Sequence, residues 1–232
     1  MLKRFVPQFI VLGFICVIAT FGYVKGAVMS ASADVDCAKT IIIDAGHGGF
    51  DGGASASDGT VEKDINLNIS KKLCAMLKLN GYNVIMTRTV DTGTEDDYTA
   101  EISKRKKSDL ANRLQIMKDN PDAIYVSIHL NKFTTSAANG AQVFYTKNYD
   151  EARLLASDIQ SCVIDLVQPD NVRVIKQGTD STYLLKNAAV PAVIVECGFL
   201  SNKTELEKLK DEDYQSQMAF AICAGIIKFM EG

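Results

Sequence analysis

Apolar residues follow two different spacings in alternating segments of this chain. Short β-branched or apolar runs are typical of buried strands, whereas apolar residues repeated every three or four positions indicate amphipathic helices. The strand-like runs lie at residues 40–44, 82–87, 123–128, 141–146 and 192–196. The helix-like stretches lie at residues 62–79, 108–118, 155–166 and 218–229. This alternation predicts an α/β fold, with a single domain, a mostly parallel (mixed) sheet of about six strands and helices on both faces.

The N-terminal 33 residues have a different pattern. Two basic residues precede a nearly continuous apolar run over residues 5–24, and a small-residue cleavage motif follows at residues 31–33. The run is close to the roughly 20 residues that cross hydrocarbon, which indicates a secretory signal or an uncleaved membrane anchor. We therefore expect residues 1–33 to be this signal or anchor. Residues 34–232 would form the folded domain, outside the cytoplasm in the cell envelope.

Composition and charge argue against a disordered protein and against a nucleic-acid-binding protein. A hydrophobic fraction of 47% is enough for a packed core, and a net charge of −3 gives no reason to expect a nucleic-acid partner. Five cysteines lie beyond residue 33, an odd number without a CxxC or CxxxC pair. We interpret them as small buried apolar residues rather than as a disulfide framework or a thiolate metal site.

Residues 89–107 interrupt the alternation. This stretch contains three consecutive acidic residues at 95–97, four basic residues at 104–107 and too few apolar residues to pack as an element. A loop of this length in a compact domain is usually functional or mobile. The basic run fits the solvated start of a helix, and the alternative is a contact with a wall polymer.

Both histidines of the chain lie in polar motifs beside predicted strands. His47 and His129 each follow such a strand, and Glu196 ends another. Because the ligand crevice of an open α/β sheet lies outside the carboxyl ends of its strands, these residues can converge there. Glu62 reaches the same edge from the first turn of a predicted helix, on the apolar face that packs toward the sheet. The sequence therefore predicts that all four side chains meet.

Two imidazoles and two carboxylates are the ligands and the base that a zinc hydrolase needs. Three protein ligands leave one position for water, whose pKa bound zinc lowers to roughly 7, and a further carboxylate serves as general base. Each residue also has an ordinary alternative. A histidine among glycines is often only a polar loop residue, and a glutamate at a helix start interacts with the helix dipole. Glu196 fits that alternative poorly, because an ionised carboxylate ending an apolar strand is costly unless it is paired or metal-bound.

These motifs, in this order, resemble the zinc-dependent N-acetylmuramoyl-L-alanine amidases of the Amidase_3 type. The resemblance runs from about residue 40 to the C-terminus. It rests mainly on Asp44-Ala-Gly-His-Gly-Gly49, Ser127-Ile-His-Leu-Asn131, Gly140-Ala-Gln-Val-Phe-Tyr145 and Pro191-Ala-Val-Ile-Val-Glu-Cys-Gly-Phe-Leu-Ser-Asn202. It implies that His47, Glu62 and His129 hold one Zn²⁺ ion and that Glu196 is the catalytic base.

The resemblance also implies a substrate and a reaction. The substrate is peptidoglycan, and the bond cleaved is the amide between the lactyl group of N-acetylmuramic acid and the L-alanine of the stem peptide. Zinc would polarise the lactyl carbonyl and supply hydroxide, and Glu196 would transfer the proton. Arg88, Arg113 and Asn131 are the candidate substrate-binding residues.

The compact form of the chain narrows the resemblance. We recognise no wall-binding repeat, and no long insertion follows Tyr145, where activator-dependent division amidases carry an occluding helix. This form is most like the CwlD-type spore cortex amidases, which strip stem peptides so that muramic-δ-lactam can be made. That implies a role in cortex maturation and germination, between the two membranes of the developing spore, with attachment through the N-terminal segment and an activator or partner protein. The alternatives are a vegetative amidase of cell separation or wall turnover and a catalytically idle peptidoglycan-binding scaffold.

Overall fold

A six-stranded mixed sheet forms the centre of the fold. The computed structural model describes residues 40–179 and 182–232. The strands are β1 (Ile41–Ala45), β2 (Val84–Met86), β3 (Ile124–Asn131), β4 (Gln142–Tyr145), β5 (Lys176–Gln177) and β6 (Ala192–Phe199). Their order in the sheet is β2-β1-β3-β6-β4-β5. The first four run parallel, and β4 runs antiparallel to β6 and parallel to β5. The predicted α/β fold with a mostly parallel sheet is confirmed.

Helices cover both faces of this sheet. Within the described residues they are α1 (Glu62–Leu79), α2 (Ile102–Lys118), α3 (Asp150–Leu166), α4 (Tyr183–Lys186), α5 (Lys203–Lys210) and α6 (Glu212–Glu231). The larger core lies under α1, α3, α5 and α6, and the smaller core lies under α2 and α4. Ile41 and Ile43 belong to the larger core, whereas Ile42 belongs to the smaller one. Both faces of β1 are therefore buried, which explains why this strand is continuously apolar in sequence.

The predicted helix at residues 62–79 is confirmed with the same bounds, since its apolar stripe lies fully against the sheet. The helix predicted from residue 108 begins six residues earlier, at Ile102. Its buried apolar residues lie only in the later turns, so the spacing gave no signal for the first two turns. The basic residues at 104–107 occupy those turns, and all but Arg105 are exposed. The prediction of a solvated helix start is thus confirmed.

Other elements differ from the sequence pattern in their ends or were not predicted. Strands β3 and β6 continue beyond their predicted ends, so His129 and Glu196 lie within strands rather than after or at the end of them. Mutual backbone pairing of β3 and β6, with a bulge after His129, extends both strands. β5, α4 and α5 are short, and periodicity does not detect elements of two to eight residues.

The structure tests the interpretation of the cysteines but does not describe the predicted N-terminal signal or anchor. Cys74, Cys197 and Cys223 are buried, Cys162 is partly buried, and all four are free thiols, as interpreted from their spacing. The predicted signal or anchor at residues 1–33 lies outside the described residues. Across residues 40–179 and 182–232, no helix combines the length and apolar character that a bilayer crossing requires.

Helices α3 and α6 approach each other closely at Gly225. A Cβ atom on Gly225 would lie 2.5 Å from the Cα atom of Ile159 and 2.8 Å from its backbone nitrogen. Alanine favours a helix over glycine by roughly 1 kcal/mol. Here, however, the methyl group would force two backbones apart, and overpacking of this kind costs typically 1–3 kcal/mol.

We therefore expect Gly225→Ala to lower the free energy of unfolding by about 1–2 kcal/mol, measured by urea denaturation. Gln217→Ala, on the exposed side of the same helix, is the matched control and should change stability by less than about 0.5 kcal/mol. An unchanged or increased stability of Gly225→Ala would contradict the close helix approach.

Candidate metal centre

Three of the predicted site residues face one another at the carboxyl edge of the sheet. His47 Nε2 lies 3.4 Å from Glu62 Oε1, and His129 Nδ1 lies 3.0 Å from the same oxygen. One candidate ligand atom from each residue lies within 4.8 Å of the other two. A tetrahedral zinc ion with bonds of about 2.0–2.1 Å places its ligand atoms roughly 3.3 Å apart. The observed separations therefore fit a zinc ion with little rearrangement.

His47 is held in an unusual backbone conformation. Its φ angle of 62° lies in the left-handed region, which non-glycine residues rarely adopt and which costs of order 1 kcal/mol. Its carbonyl oxygen accepts a hydrogen bond from Arg113 Nη2 at 2.8 Å. Its imidazole Nδ1 is hydrogen-bonded to Asp51 Oδ2 at 2.9 Å. These contacts stabilise the strained residue and leave Nε2 directed toward Glu62.

His129 is oriented by its contact with Gly46. A Cβ atom at Gly46 would lie 2.3 Å from His129 Nε2 and 2.4 Å from Cε1, so only glycine allows the ring to pack here. With its Nε2 edge against the backbone, the imidazole presents Nδ1 to Glu62. The Glu62 carboxylate is fixed in turn, because Oε1 accepts from the Leu130 N–H at 3.0 Å and Oε2 accepts from the Ala54 N–H at 2.8 Å.

The electrostatics of this cluster favour positive charge beside Glu62. Burial alone would raise the pKa of Glu62, but hydrogen bonds and charge interactions with His129 and His47 hold it well below its usual range. Burial alone would lower the pKa of His47, but its hydrogen bonds to Asp51 and Glu62 raise it to about 9. A bound dication would supply the same positive charge and would replace the proton of His47.

Glu196 lies beside the ligand set with an unsatisfied oxygen. It pairs in register with His129 on the neighbouring strand. Its Oε2 atom is buried and has no hydrogen-bond partner among the described residues. Burial raises the pKa of Glu196 to about 7, where the negative charge of Glu62 acts in the same direction and the charge of His129 opposes it. A buried carboxylate oxygen without a partner requires an explanation, and a cation held by the adjacent residues provides one.

Arg113 is buried and makes all its hydrogen bonds within the protein. The side chain is 2% exposed, and its five N–H groups all have acceptors. Two carboxylates, Asp44 and Asp109, and the carbonyl oxygens of Ala45 and His47 accept these bonds. The predicted substrate-binding role therefore has no donor left to serve it, and the visible role of Arg113 is to hold the loop that carries His47.

Arg88 supports the same loop from the other side. It is buried and donates to the carbonyl oxygens of Ala45, Gly46 and Lys63 at distances of 2.8–3.0 Å, with a further bond to Val90. Asn131, the third predicted substrate-binding residue, is partly exposed at the end of β3, and its side-chain oxygen accepts from the N–H of Lys132. The structure thus brings His47, Glu62, His129 and Glu196 together, whereas the two arginines lie beneath them.

Asp51 is a functional residue that sequence reasoning missed. It follows His47 by four residues, and an antiparallel bridge between Gly48 and Asp51 turns the chain so that the carboxylate meets the imidazole. Metal-binding histidines commonly donate their second N–H to such a carboxylate, which fixes the tautomer and orientation of the ring. An acidic residue shortly after the histidine was the available signal, but the turn that gives it meaning is not visible in a hydrophobic pattern.

Loss of the Asp51 carboxylate should weaken metal binding. We expect Asp51→Asn to reduce zinc affinity about 10- to 100-fold, because the ring of His47 loses the charged acceptor that orients it. Competition with a chromophoric chelator measures this affinity. Asp58→Asn, which removes a carboxylate paired with Lys210 on the surface, is the control and should leave zinc affinity within about twofold. Equal affinities of the two variants would contradict the role of Asp51.

Zinc binding should also release a proton from His47. Since its pKa is raised to about 9, His47 is protonated below that pH and must become neutral to act as a ligand. We expect zinc affinity to rise with pH up to about 9. At pH 8, where Glu196 with its pKa of about 7 is mostly ionised, about two protons should leave per ion bound, one from His47 and one from the zinc-bound water, whose pKa would be roughly 7. Calorimetry in two buffers of different ionisation enthalpy measures this number, and identical heats in both buffers would contradict the prediction.

Comparison with known proteins agrees with this geometry. The N-acetylmuramoyl-L-alanine amidase family, Amidase_3, matches residues 41–228. The CwlD amidase from Clostridioides difficile, solved in complex with the GerS lipoprotein, is 42% identical with a TM-score of 0.80, covering 83% of this chain and 98% of that one. An N-acetylmuramoyl-L-alanine amidase from Clostridium difficile 630 is 30% identical with a TM-score of 0.72, covering 84% of this chain and 98% of that one.

A curated relative extends the comparison to spore-forming bacteria. The germination-specific N-acetylmuramoyl-L-alanine amidase of Bacillus subtilis is 35% identical over 191 residues, which is 82% of this chain and 79% of the relative. Both the family match and these identities cover nearly the whole described part of the chain. The predicted resemblance is therefore confirmed, and the chain belongs to the N-acetylmuramoyl-L-alanine amidase family of the Amidase_3 type.

Proposed function

We propose that this protein is a zinc-dependent amidase that hydrolyses the bond between the lactyl group of N-acetylmuramic acid and the L-alanine of the peptidoglycan stem. The observation that carries the proposal is the triangle of His47, Glu62 and His129 beside the buried Oε2 atom of Glu196, which has no partner among the described residues. Membership of the amidase family supplies the substrate class. The donor set supplies the chemistry, since two imidazoles and one carboxylate suit zinc and leave a coordination position open.

The four residues have separate roles in this reaction. His47, Glu62 and His129 would hold the ion. Bound zinc would supply Lewis-acid activation of the lactyl carbonyl and of the attacking water. Glu196 is the general base, which accepts the proton of that water at its free Oε2 atom and passes it to the leaving nitrogen of L-alanine. A pKa near 7 suits this role, because the same carboxylate must accept and release a proton at neutral pH.

We extend the proposal to a biological setting. The similarity to a CwlD amidase and to a germination-specific amidase supports action on the spore cortex. There the removal of stem peptides would prepare muramic acid for conversion to muramic-δ-lactam, on which germination depends. The enzyme would work between the two membranes of the developing spore.

The proposal also includes attachment and a partner. The apolar segment within residues 1–33 would serve as export signal or membrane anchor and keep the domain at the membrane surface. The similar CwlD amidase is described in complex with a lipoprotein. This supports a protein partner for the present chain, which would bind the amidase outside the cytoplasm.

The test is a digest of purified peptidoglycan with the zinc-loaded protein, analysed by mass spectrometry. We expect free stem peptides that begin with L-alanine, together with peptide-free glycan strands. Glu196→Gln should retain zinc and lose at least about 100-fold in rate, because it removes the base but no ligand. His129→Ala is the companion variant and should lose both zinc and activity.

Each outcome of this digest has a clear meaning. Cleavage by Glu196→Gln at the wild-type rate would remove Glu196 from the mechanism. Full zinc occupancy in His129→Ala would contradict the ligand assignment. If the zinc-loaded wild-type protein binds peptidoglycan but releases no peptide, with or without a lipoprotein partner, the protein is a binding scaffold and the proposed activity is wrong.

A further inference from the structure

A narrow cleft opens beside the two histidines of the candidate metal centre. One wall is the beginning of α2, which contributes Lys106 and Leu110, and the facing wall includes Leu184 of α4. His47 and His129 line the floor of the cleft. A substrate bound in this cleft lies against both histidines, so the side chains on the walls contact groups near its scissile bond.

Only one member of the basic run on α2 faces this cleft. Lys106 shares a helix face with Leu110 and Arg113, which follow it by four and seven residues and also line the cleft. Arg105 is engaged elsewhere, since its Nη2 atom lies 2.6 Å from Glu95 Oε1 and its guanidinium stacks 4.1 Å from the centre of the Phe50 ring. The exposed lysines at 104 and 107 do not line the cleft.

Lys106 is also the cation of the cleft lining that has N–H donors available to a ligand. Arg113 is the other cation in the cleft lining, and its five N–H groups all have acceptors within the protein. The Lys106 side chain is 55% exposed, and its only ionic partner among the described residues is Asp51 Oδ2 at 3.3 Å. An ammonium group has three donors, so Lys106 can bind a second anion without losing this contact.

The position of Lys106 sets the distance between that second anion and the metal. Asp51 Oδ2 contacts both the Lys106 ammonium at 3.3 Å and the His47 ring at 2.9 Å, so one carboxylate separates the ammonium from a ligand. An extended peptide advances roughly 3.3–3.6 Å per residue. A group on the second residue of the stem, roughly 7 Å from the bond before the first residue, therefore lies at the right scale of distance to reach Lys106.

The chemistry of the stem peptide supplies a matching anion. Its second residue is a glutamate joined to the next residue through its side chain, so its α-carboxylate is free unless it is amidated. Because the acidic groups of Glu62, Asp51 and Glu196 surround the metal, an anionic peptide needs a cation on the cleft wall to approach them. We propose that Lys106 binds this carboxylate and makes the enzyme selective for stems in which it is not amidated. This inference rests on the proposed function.

The test compares two substrates that differ only in this group, one with a free carboxylate and one with a carboxamide on the second stem residue. Since a hydrogen bond to a charged group contributes substantially to binding, we expect the zinc-loaded wild-type protein to have an about tenfold lower KM for the carboxylate form. Lys106→Met keeps the length of the alkyl chain and should raise the KM for the carboxylate form to that of the amide. Lys104→Met and Lys107→Met are the matched controls and should retain the full preference.

Several results would overturn the inference. One is an equal KM of the wild-type protein for the two substrates, and another is a preference that survives in Lys106→Met. A third is an equal rise in KM for both substrates in Lys106→Met together with weakened zinc binding, since Lys106 would then act through Asp51 on the loop that carries His47.

A binding measurement separates this inference from the proposed function. The affinities of the free stem peptide in its carboxylate and amide forms are compared by calorimetry for the wild-type protein and Lys106→Met. If the wild-type protein cleaves neither substrate, the proposed function is wrong. The loss or persistence of the carboxylate preference in Lys106→Met then still decides whether Lys106 binds the peptide.

Discussion

The buried ion pair of Asp44 and Arg113 joins the end of β1, helix α2 and the histidine loop into one unit. Burial opposes the ionised form of Asp44, yet the charge of Arg113 and hydrogen bonds from Ser127 and Thr87 hold its pKa well below the usual range. Burying two charges costs several kcal/mol per ion, which only a complete set of partners offsets. Arg113 has that set, and its remaining donors reach the carbonyl oxygens of the loop. The position of His47 is thereby tied to a buried ion pair, and removing one partner of such a pair costs roughly 3–5 kcal/mol.

The other three residues of the centre need no such anchor, because regular elements position them. His129 and Glu196 are paired across β3 and β6 by backbone register, and Glu62 stands in the first turn of a helix whose apolar stripe fills the larger core. His47 alone lies on a loop, in a strained conformation. The contacts of Arg88, Arg113 and Asp51 are concentrated there for this reason. The backbone of a strand or helix fixes the position of a site residue. A metal ligand on a loop needs surrounding contacts to be held with the same accuracy.

This division explains what the sequence could predict. The positions of residues on periodic elements could be predicted, because the apolar stripe behind Glu62 and the apolar strands before His129 and Glu196 are local signals. Asp51 depends on a turn among glycines, and Lys106 depends on the rotational phase of a helix start without apolar residues. Neither leaves a trace in the hydrophobic pattern. The burial of Arg113 could not be predicted, because a charged residue is usually solvated, and its burial requires a carboxylate 69 positions away that only the fold brings near.

The two sides of the cleft therefore differ in how they are held. The metal side rests on the sheet and on the Asp44–Arg113 pair. The first turns of α2, which carry Lys106, rest on polar contacts, with Arg105 paired to Glu95 and stacked on Phe50. Even these contacts are incomplete, because Glu95 Oε2 and Arg105 Nε are buried without partners among the described residues. The first two turns of α2 contribute no residue to either apolar core, so this wall is less firmly held than the floor. A rigid metal centre under an adaptable wall suits an enzyme that must admit one branch of a cross-linked polymer and hold the scissile bond in place.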